Sequence, residues 1–580
     1  MSAVWPTFNL MRKIDKLKSA ANLSDVAQLL DLKAAALSHL LYVKSTQSKY
    51  IEFEIPKKSG GTRKILAPAP GLKLLQRKLA SILNEALELD GPTGYRHISH
   101  GYMPKLGIVS NALNHRSRHL VFNTDLQDFF PSIHLGRVRG LLIKDERFNL
   151  NPAVATIVAQ IACCDGKLPQ GSPSSPVISN LMARMMDIKL VRLAKKEGCT
   201  YTRYVDDITF STNKKNFPPS IAVKNVGEHA WEIGLNLSNV VKSSGFSVNS
   251  KKTRMQYKDS RQVVTGLTVN RLPNVSQDFK RSVREKAYSL FTTGSFYERV
   301  KNPITGETVD NHGTLDQLHG LINHIDAVYC MREKIISEMK RVPQRENLVI
   351  PGKFSEIYKN FLLYKYCFSI AKPTIFCEGE TDNIYIKHAL RARAAKFPLL
   401  ASSNGGNFEM NVNIINYSKN KTGSILGIYD GGADALPKLI QYYIELIGKK
   451  FKTPISKNPV LFIYDNDDGA KKFSGPLKKV CPIISAPFTR VKHNIYAIPT
   501  PLIDEKKETC IEDFFYEKEK SIIIDGKKFN PSNSSFNSKT DYSKVVFAHK
   551  VVAQNAENIN FEKFDYLFDA MEKAIKDAIS

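Results

Sequence analysis

The segment CTYTRYVDDITFS, residues 199–211, constrains this chain more than any other. Tyr204-Val205 and Ile208-Thr209 are β-prone residues on either side of two adjacent aspartates, a pattern that predicts a hairpin with Asp206 and Asp207 at its tip. Adjacent carboxylates on a tight turn repel each other unless a positive charge lies between them. A divalent metal held by carboxylate and phosphate oxygens is the usual solution, so the turn predicts phosphoryl-transfer chemistry.

Two upstream segments complete the pattern. In LVFNTDLQDFFPSI, residues 120–133, an apolar strand leads into Asp125, a third carboxylate for a site in which two metals lie about 4 Å apart. In GKLPQGSPSSPVISNLM, residues 166–182, a loop rich in proline and glycine precedes an apolar helix. Gly171 in this loop would allow the backbone to approach a base pair closely. Three unrelated turns with solvated aspartates are the alternative interpretation.

These three segments, in this order, resemble those of reverse transcriptases. Asp125 matches the first catalytic aspartate, and Asp206 and Asp207 match the pair of the YxDD turn. The resemblance implies that the three carboxylates bind two Mg²⁺ ions. It also implies that Gln170 and Gly171 shape the nucleotide pocket.

Phe130 lies five residues after Asp125, where reverse transcriptases keep the aromatic side chain that blocks a 2′-hydroxyl. The resemblance therefore implies a preference for dNTPs. Lys251 and Lys252 stand where the family carries a basic residue near the incoming triphosphate.

Two further motifs narrow the resemblance to retron reverse transcriptases. One is the NAxxH segment of residues 108–115, with Asn111 and His115, and the other is the element Val264-Thr265-Gly266. The resemblance implies contacts of both motifs with RNA. It further implies a noncoding RNA that serves as template and primer, priming from a guanosine 2′-hydroxyl, and a branched RNA–DNA product (msDNA). An intron-type reverse transcriptase is the alternative.

Composition agrees with a nucleic-acid partner. The formal net charge of +27 over 580 residues indicates a polyanionic partner, with a membrane surface as the second choice. No apolar stretch approaches the ~20 residues of a membrane span, and the N-terminus lacks the apolar core of a signal peptide. The eight cysteines form no CxxC pair, which predicts reduced thiols in a cytoplasmic protein.

The predicted fold class is a multidomain α/β protein with the fingers and palm of a right-hand polymerase (α+β), a helical thumb and a mostly parallel α/β domain. Fingers and palm are assigned to residues 1–270, the thumb to 271–369 and the last domain to 370–580. A helix is predicted over Ser24–Tyr42. A basic hairpin is predicted around Gly60-Gly61, with Lys57, Lys58, Arg63 and Lys64.

After residue 370 the pattern alternates between strands and helices. Strands are predicted to end at Glu378, at Asp430 and at Asp465-Asn466-Asp467, with another strand in PLLASSNGGN. Functional side chains of open α/β sheets collect at the carboxyl ends of strands, so this pattern predicts an oxygen-ligand metal site. A calcium loop of the EF-hand type does not fit, because Ala470 and Pro476 occupy its glycine and glutamate positions. A solvated turn at the strand end is the plain alternative.

Glu378 with the DxD of Asp465 and Asp467 resembles the TOPRIM fold of primases, topoisomerases and some nucleases, over about residues 370–520. The resemblance implies a Mg²⁺- or Mn²⁺-dependent nuclease effector, restrained by the RNA–DNA product until phage infection, and a homo-oligomer. Asp430, Glu512 and Asp513 are further candidate ligands. A non-catalytic module that binds the product or a partner is the alternative.

Overall fold

The computed structural model of the chain describes residues 12–56, 61–88, 98–225, 230–301, 307–343, 348–404, 407–432, 434–467, 470–478, 481, 487–531 and 535–580. The chain divides into two compact units. The first unit contains Met1–Gln277, Val300–Val309 and Met331–Lys340. The second unit contains Asp278–Arg299, Asp310–Cys330 and Arg341–Ser580.

Up to residue 276 the first unit combines ten helices and ten strands among its described residues. The helices are α1 (Lys13–Ser19), α2 (Leu23–Leu29), α3 (Ala34–Ser38), α4 (Thr46–Lys49), α5 (Pro70–Glu88), α6 (Ile108–Asn114), α7 (Leu135–Lys144), α8 (Pro152–Ala162), α9 (Ser175–Lys196) and α10 (Leu235–Ser243). The strands are β1 (Tyr50–Pro56), β2 (Thr62–Pro68), β3 (Leu120–Leu126), β4 (Thr200–Tyr204), β5 (Asp207–Thr212), β6 (Ala222–Lys224), β7 (Trp231–Ile233), β8 (Val248–Tyr257), β9 (Val263–Val264) and β10 (Leu267–Thr268).

A four-stranded antiparallel sheet, in the order β4-β5-β3-β8, is the centre of the first unit. Its strands carry buried aromatic residues such as Phe122 and Phe210, both 0% exposed, which belong to one hydrophobic core. The predicted hairpin is present as β4 and β5, joined by the two residues Val205-Asp206. Helix α9 packs against β4 and α8 against α7, so the sheet has a rigid support.

The single N-terminal helix predicted over Ser24–Tyr42 is wrong. The chain forms α2 and α3 separated by a turn, followed by a π-helical segment over His39–Val43. Asn22 is the N-cap of α2, since its side-chain oxygen accepts hydrogen bonds from the backbone N–H groups of Ser24 and Asp25. Asp31 has φ of 56°, a left-handed conformation that ends α2 and starts the turn.

The predicted basic hairpin corresponds to β1 and β2, which pair in antiparallel register. Arg63 and Lys64 lie on β2, and Lys64 pairs with Glu52 of β1 at 2.7 Å on the surface. Lys57 and Lys58 lie outside the described residues. No single helix of the described chain is long and apolar enough to cross a membrane, whereas the bent pair Leu23–Leu29 and Ala34–Val43 meets those requirements jointly.

The elements from residue 277 onward alternate helices with short strands. The helices are α11 (Gln277–Thr293), α12 (Leu315–Lys340), α13 (Lys353–Leu363), α14 (Asp382–Arg393), α15 (Lys421–Leu426), α16 (Ala435–Leu446), α17 (Ala470–Leu477), α18 (Glu517–Lys520), α19 (Lys544–Val546) and α20 (Asp565–Ile579). The strands are β11 (Tyr297–Lys301), β12 (Thr308–His312), β13 (Thr374–Cys377), β14 (Ala401–Asn404), β15 (Asn407–Met410), β16 (Asn413–Ile414), β17 (Val460–Tyr464), β18 (Thr489–Lys492), β19 (Ile495–Pro499), β20 (Lys528–Phe529) and β21 (Asp541–Tyr542).

Five strands of the second unit form one sheet in the order β16-β13-β17-β19-β18. The pairs β13–β16, β13–β17 and β17–β19 are parallel, and β18 joins the edge in antiparallel orientation. Strand β17, VLFIY, is buried along its whole length, as expected for a strand that is covered on both faces. Strands β13 and β17 end directly before Glu378 and Asp465, as predicted.

One strand prediction in this unit is wrong. The residues before Asp430 form helix α15, because the Asn420 side chain caps the Gly423 N–H at 3.1 Å and Gly427, with φ of 78°, ends the helix. The strand predicted in PLLASSNGGN is present as β14, which lies outside the main sheet and pairs with β15 in a separate hairpin.

The second unit also includes most of α11. Phe291 of that helix packs against Phe451 with ring centroids 5.3 Å apart. The predicted domain boundaries at residues 270 and 369 remain predictions. All eight cysteines are free thiols.

Candidate active sites

Three aspartates meet at one end of the antiparallel sheet of the first unit. Asp125 on β3 stands opposite Asp207 on β5 in the strand register, and their side chains are hydrogen-bonded. Asp206 occupies the second position of the β4–β5 turn, and its carbonyl accepts a hydrogen bond of 2.9 Å from the N–H of Leu126. The structure therefore brings together the three carboxylates that the sequence predicted to act as one site.

The carboxylates crowd one another. Burial, the hydrogen bond to Asp125 and the nearby negative charges raise the pKa of Asp207 to about 8. Burial and Asp125 also raise the pKa of Asp206. Lys252 on β8 supplies a positive charge, since its ammonium group contacts the Asp125 carboxylate and this contact raises the pKa of Lys252.

The donor chemistry of this cluster fits a divalent cation. All three side chains offer hard oxygen ligands, and the raised pKa values of Asp206 and Asp207 show that the site lacks positive charge. Among the described residues, no three His, Cys, Asp or Glu side chains are already arranged to hold a metal ion. Asp125, Asp206 and Asp207 would hold Mg²⁺ if the Lys252 ammonium moved away from the Asp125 carboxylate that it contacts.

A cavity of about 970 Å³ adjoins the cluster. Its lining includes Phe130, Gln170, Asp206 and Lys251, all of which the sequence singled out, together with Arg63 of β2. Phe130 is 6% exposed, so only its edge reaches the cavity. The predicted nucleotide-binding side chains thus share one cavity with a carboxylate of the cluster.

Gly171 lies in close contact with strand β2, and its predicted approach to a base pair stays a prediction. It has φ of 118°, and a Cβ there would lie 2.9 Å from Ile65 Cγ2 and 3.0 Å from the Leu66 carbonyl oxygen. The Leu66 N–H also donates to the carbonyl oxygen of Gln170 at 2.8 Å. Glycine is required here because strand β2 of the basic hairpin packs against the loop, and no approach to a base pair is needed to explain it.

The Val264-Thr265-Gly266 element forms the turn between β9 and β10. Thr265 and Gly266 have φ of 46° and 80°, and both line a second cavity of about 480 Å³ together with Asp125 and Asp207. The Thr265 hydroxyl donates to the Ile108 carbonyl oxygen at 3.0 Å, and Val264 is buried. This turn borders the carboxylate cluster, a placement that the sequence did not reveal.

Asn111 and His115 lie inside the protein, on or next to helix α6. Asn111 is 1% exposed and His115 is 0% exposed, so the prediction that these side chains contact RNA has no support from the structure. His115 links the two hairpin strands, with Nδ1 at 2.7 Å from the Ser211 hydroxyl and Nε2 at 2.7 Å from the Thr202 hydroxyl. Burial lowers the pKa of His115 to about 3, so the ring is neutral. The position of His115 between β4 and β5 indicates that its side chain stabilises the hairpin.

A second carboxylate site lies at the carboxyl edge of the parallel sheet in the second unit. Glu378 follows β13 and Asp465 follows the neighbouring β17, and the Asp465 N–H donates to a Glu378 carboxylate oxygen at 3.3 Å. Both residues line a cavity of about 460 Å³ with Asp430 and Asp382. The predicted meeting of Glu378 and Asp465 therefore occurs, and Asp430 borders the same cavity.

Asp382, Glu512 and Lys544 complete this second cluster. Asp382 begins α14, four residues after Glu378, and accepts a hydrogen bond of 2.8 Å from the Gly379 N–H. Glu512 is 2% exposed, with one oxygen 2.9 Å from the Lys544 ammonium and the other without a hydrogen-bond partner. Burial and the neighbouring carboxylates raise the pKa of Asp465 to about 9 and that of Asp382 to about 7. The cluster again has hard oxygen donors and too little positive charge, which fits a divalent cation.

The sequence analysis missed Asp382 and Lys544. The spacing of Glu378 and Asp382 was the available signal for Asp382, since a strand end and the following helix start bring such residues to one edge. Lys544 is 166 residues away from Glu378 and gave no signal. Asp467 is exposed and lies outside the residues that line the cavity. Asp513 caps the Cys510 N–H and pairs with Lys506.

Comparison with known proteins agrees with the geometry of the first unit. Residues 55–276 match the family model described as reverse transcriptase (RNA-dependent DNA polymerase). The Retron Mx162 reverse transcriptase of Myxococcus xanthus is 36% identical over 250 residues, which cover 39% of this chain and 48% of the relative. The Retron Mx65 reverse transcriptase of the same species is 32% identical over 280 residues, covering 45% of this chain and 61% of the relative.

The chain thus spans about half to three fifths of the length of these relatives. Among solved structures, the telomerase of Candida albicans in complex with a fragment of telomeric RNA shares 13% identity at a TM-score of 0.31, covering 58% of this chain and 62% of that chain. Residues 55–276 therefore match the reverse-transcriptase family model and are similar in sequence to retron reverse transcriptases.

Proposed function

We propose that the first unit is a retron-type RNA-directed DNA polymerase. The observation that carries this proposal is the convergence of Asp125, Asp206 and Asp207, of which Asp206 lines the same cavity as Phe130 and Gln170. Bound Mg²⁺ would lower the pKa of the attacking primer hydroxyl and neutralise the leaving pyrophosphate. The protein's own contribution is to orient the carboxylates and exclude water.

Within this proposal the cavity residues bind the incoming dNTP. Lys251 and Lys252 line both cavities of the site, and we assign them the neutralisation of triphosphate charge. The edge of Phe130 would contact the sugar where a 2′-hydroxyl would lie, which favours deoxyribonucleotides. The surplus of 27 positive charges in the chain suits the phosphates of template and product.

The RNA partner and product follow from the similarity to retron reverse transcriptases. A structured noncoding RNA would act as template and primer in the cytoplasm, and the product would be a branched RNA–DNA molecule. The test is to express the chain with its adjacent noncoding DNA and to isolate nucleic acid from the wild type and from Asp206→Ala/Asp207→Ala. A short branched DNA found only with the wild type supports the proposal. Its absence from both, with soluble protein and transcribed RNA, contradicts it.

For the second unit we propose a TOPRIM-like, metal-dependent nuclease effector in antiphage defence. The supporting observation is the cluster of the half-buried Glu378 and Asp465 with the buried Asp382 and Glu512, at the edge of the parallel sheet where such sites form. Mg²⁺ or Mn²⁺ bound there would polarise a phosphodiester and activate water. Asp467, the second acid of the DxD, stays a proposed ligand only.

The regulatory part of the proposal is that the RNA–DNA product restrains the nuclease until infection disturbs the complex, in a homo-oligomer. It is tested by comparing metal-dependent cleavage of DNA and RNA by complexes with intact product and by complexes stripped of product. Faster cleavage by the stripped complex supports restraint, and equal rates contradict it. No cleavage in either, with the wild type equal to Asp465→Ala, removes the nuclease proposal.

A non-catalytic product- or partner-binding module is the second candidate. Its supporting observation is that Lys544 already pairs with Glu512 at 2.9 Å, so the cluster is partly neutralised from within the protein. This candidate predicts that Asp465→Ala retains all biological activity.

A further inference from the structure

The β4–β5 turn that carries the catalytic aspartates has an unfavourable backbone conformation. Val205 has φ of 60°, in the left-handed region that a β-branched residue rarely adopts. Such a conformation is energetically unfavourable and persists only where the surrounding structure holds it. The next two residues are Asp206 and Asp207, so relaxation of Val205 would redirect both carboxylates.

A buried arginine holds this turn. Arg203 is 0% exposed and lies on β4, two residues before Val205. Its Nη1 donates to the Val205 carbonyl oxygen at 2.8 Å, and its Nε and Nη2 donate to the Asp187 carboxylate at 3.0 and 2.8 Å. One planar guanidinium thus connects the strained residue to helix α9.

Asp187 is itself fixed from several sides. It is 0% exposed, and besides Arg203 it accepts a hydrogen bond of 2.6 Å from the Tyr201 hydroxyl. Two buried charges lose hydration, and apolar residues of similar volume would stabilise the fold about as well. An apolar pair could not donate the hydrogen bond that Arg203 makes to the Val205 carbonyl oxygen. The Arg203–Asp187 pair therefore orients the turn in a way that apolar packing would not.

The backbone at Gly101 also packs closely against the turn. A Cβ at Gly101 would lie 2.6 Å from Val205 Cγ2 and 2.8 Å from Val205 N, so residue 101 fits only as glycine. Asn180 of α9 donates to the Gly101 carbonyl oxygen at 2.9 Å and accepts from Arg203 Nη2 at 3.2 Å. Val205 therefore contacts both residue 101 and the Arg203 guanidinium, and Asn180 links the two.

We propose that Arg203 and Asp187 are positioning residues for polymerisation, which hold Val205 in its strained conformation and thereby fix the direction of Asp206 and Asp207. The inference rests on the proposed polymerase function. Neither side chain reaches the cavities that border the carboxylates, so neither is assigned a contact with substrate.

The test uses Arg203→Lys, which keeps the positive charge and loses the planar fork. We expect kcat for RNA-templated primer extension to fall about 10- to 100-fold, because a displacement of catalytic groups by about 1 Å lowers rates by such factors. We also expect a higher Mg²⁺ concentration for half-maximal rate, with KM for dNTP changed by less than about threefold. Arg147→Lys is the matched control, because Arg147 forms a bidentate pair with Asp145 in the same unit, at 2.8 and 2.6 Å.

Asp187→Asn is the second variant, since it retains an acceptor for Arg203 and keeps the side-chain volume. A lower kcat with a raised Mg²⁺ requirement in either folded variant, against an unchanged Arg147→Lys, supports the inference. Unchanged kcat and Mg²⁺ requirement overturn it, as does a loss of activity that merely follows the loss of folded protein in both variants. If the wild type itself extends no primer, the proposed polymerase function fails instead.

Discussion

Asp125 stands directly opposite Asp207 across the β3–β5 strand pair, and Lys252 contacts the same Asp125 carboxylate. The two acids share a hydrogen bond inside the protein, and one ammonium group lies beside them. The site therefore carries less positive charge than its carboxyl groups would need to ionise fully. A metal ion that replaced the ammonium would hold both carboxylates, while Lys252 would be released toward the cavities that it lines.

This relationship predicts that neutral replacements at the cluster stop DNA synthesis without unfolding the protein. Asp207→Asn removes a metal ligand and keeps the side-chain volume, so we expect primer extension to fall at least about 1,000-fold, as the loss of an essential electrostatic group does. Asp259→Asn, at an exposed position after β8, is the control and should keep wild-type activity. Extension by Asp207→Asn within tenfold of the wild type would contradict the two-metal assignment.

Gly171→Ala should weaken nucleotide binding more than it slows chemistry. Its φ of 118° is unfavourable for alanine, and the added methyl group would push on Ile65 and Leu66 of β2, the strand that brings Arg63 to the nucleotide cavity. We expect a loss of about 1–3 kcal/mol in stability. We also expect KM for dNTP to rise by a larger factor than kcat falls.

Gly140→Ala is the matched control, because Gly140 lies in α7 and a Cβ there meets no atom within 4 Å. Steady-state kinetics and thermal melting of both variants test this prediction. A Gly171→Ala enzyme with unchanged KM would show that the contact between the loop and β2 does not shape the pocket.

The parts of the site that the sequence predicted depend on short-range patterns. The β-prone residues around Val205-Asp206 fix a hairpin locally, and apolar runs that end in Glu378 and Asp465 fix two strands of one sheet. Parallel strands then bring their carboxyl ends together without further information.

The parts that the sequence did not predict depend on long-range contacts or on competing local signals. The apolar run before Asp430 suggested a strand, but the cap at Asn420 and the left-handed Gly427 made a helix more favourable. The burial of His115 and the pairing of Lys544 with Glu512 depend on segments far away in the chain. No local pattern encodes such contacts.

The neutral His115 predicts a pH dependence of stability. Its pKa is about 3 in the folded protein because it is buried, against about 6.5 in the unfolded chain. Between these values only the unfolded chain binds the proton, so stability falls as the pH decreases below 6.5. At pH 5 the loss from this residue is on the order of 2 kcal/mol.

Denaturant unfolding followed by tryptophan fluorescence measures this loss, because Trp231 lies on β7 of the first unit. His115→Gln keeps hydrogen-bonding groups and should be less stable at pH 7.5, with a smaller decrease toward pH 5. His119→Gln, at an exposed position, should show the same decrease of the free energy of unfolding with pH as the wild type. If the free energy of unfolding decreased equally with pH in the wild type, His115→Gln and His119→Gln, His115 would not be the cause of the pH dependence.

The second cluster predicts opposite effects on stability and activity. Glu378, Asp382, Asp465 and Glu512 share one edge of the sheet with Lys544 as the partner of Glu512, so the repulsion is only partly compensated. Burial and the neighbouring acids raise the pKa of Asp465 to about 9, so folding at neutral pH requires this carboxyl to take up a proton. Asp465→Asn removes that cost and can keep the acceptor that binds the Ile511 N–H at 3.1 Å. In a chelator we therefore expect a higher melting temperature for this variant than for the wild type, together with loss of metal-dependent cleavage.

Asp467→Asn distinguishes the two acids of the predicted DxD. Asp467 is exposed, so its replacement should leave the melting temperature in chelator unchanged and reduce cleavage less than Asp465→Asn does. Melting temperatures with and without added Mn²⁺ complete the comparison. A bound ion should raise the melting temperature of the wild type and leave that of Asp465→Asn unchanged, because this variant lacks a metal ligand. If Mn²⁺ stabilises the wild type and Asp465→Asn equally, the ion binds elsewhere and the cluster is a structural feature of the sheet edge.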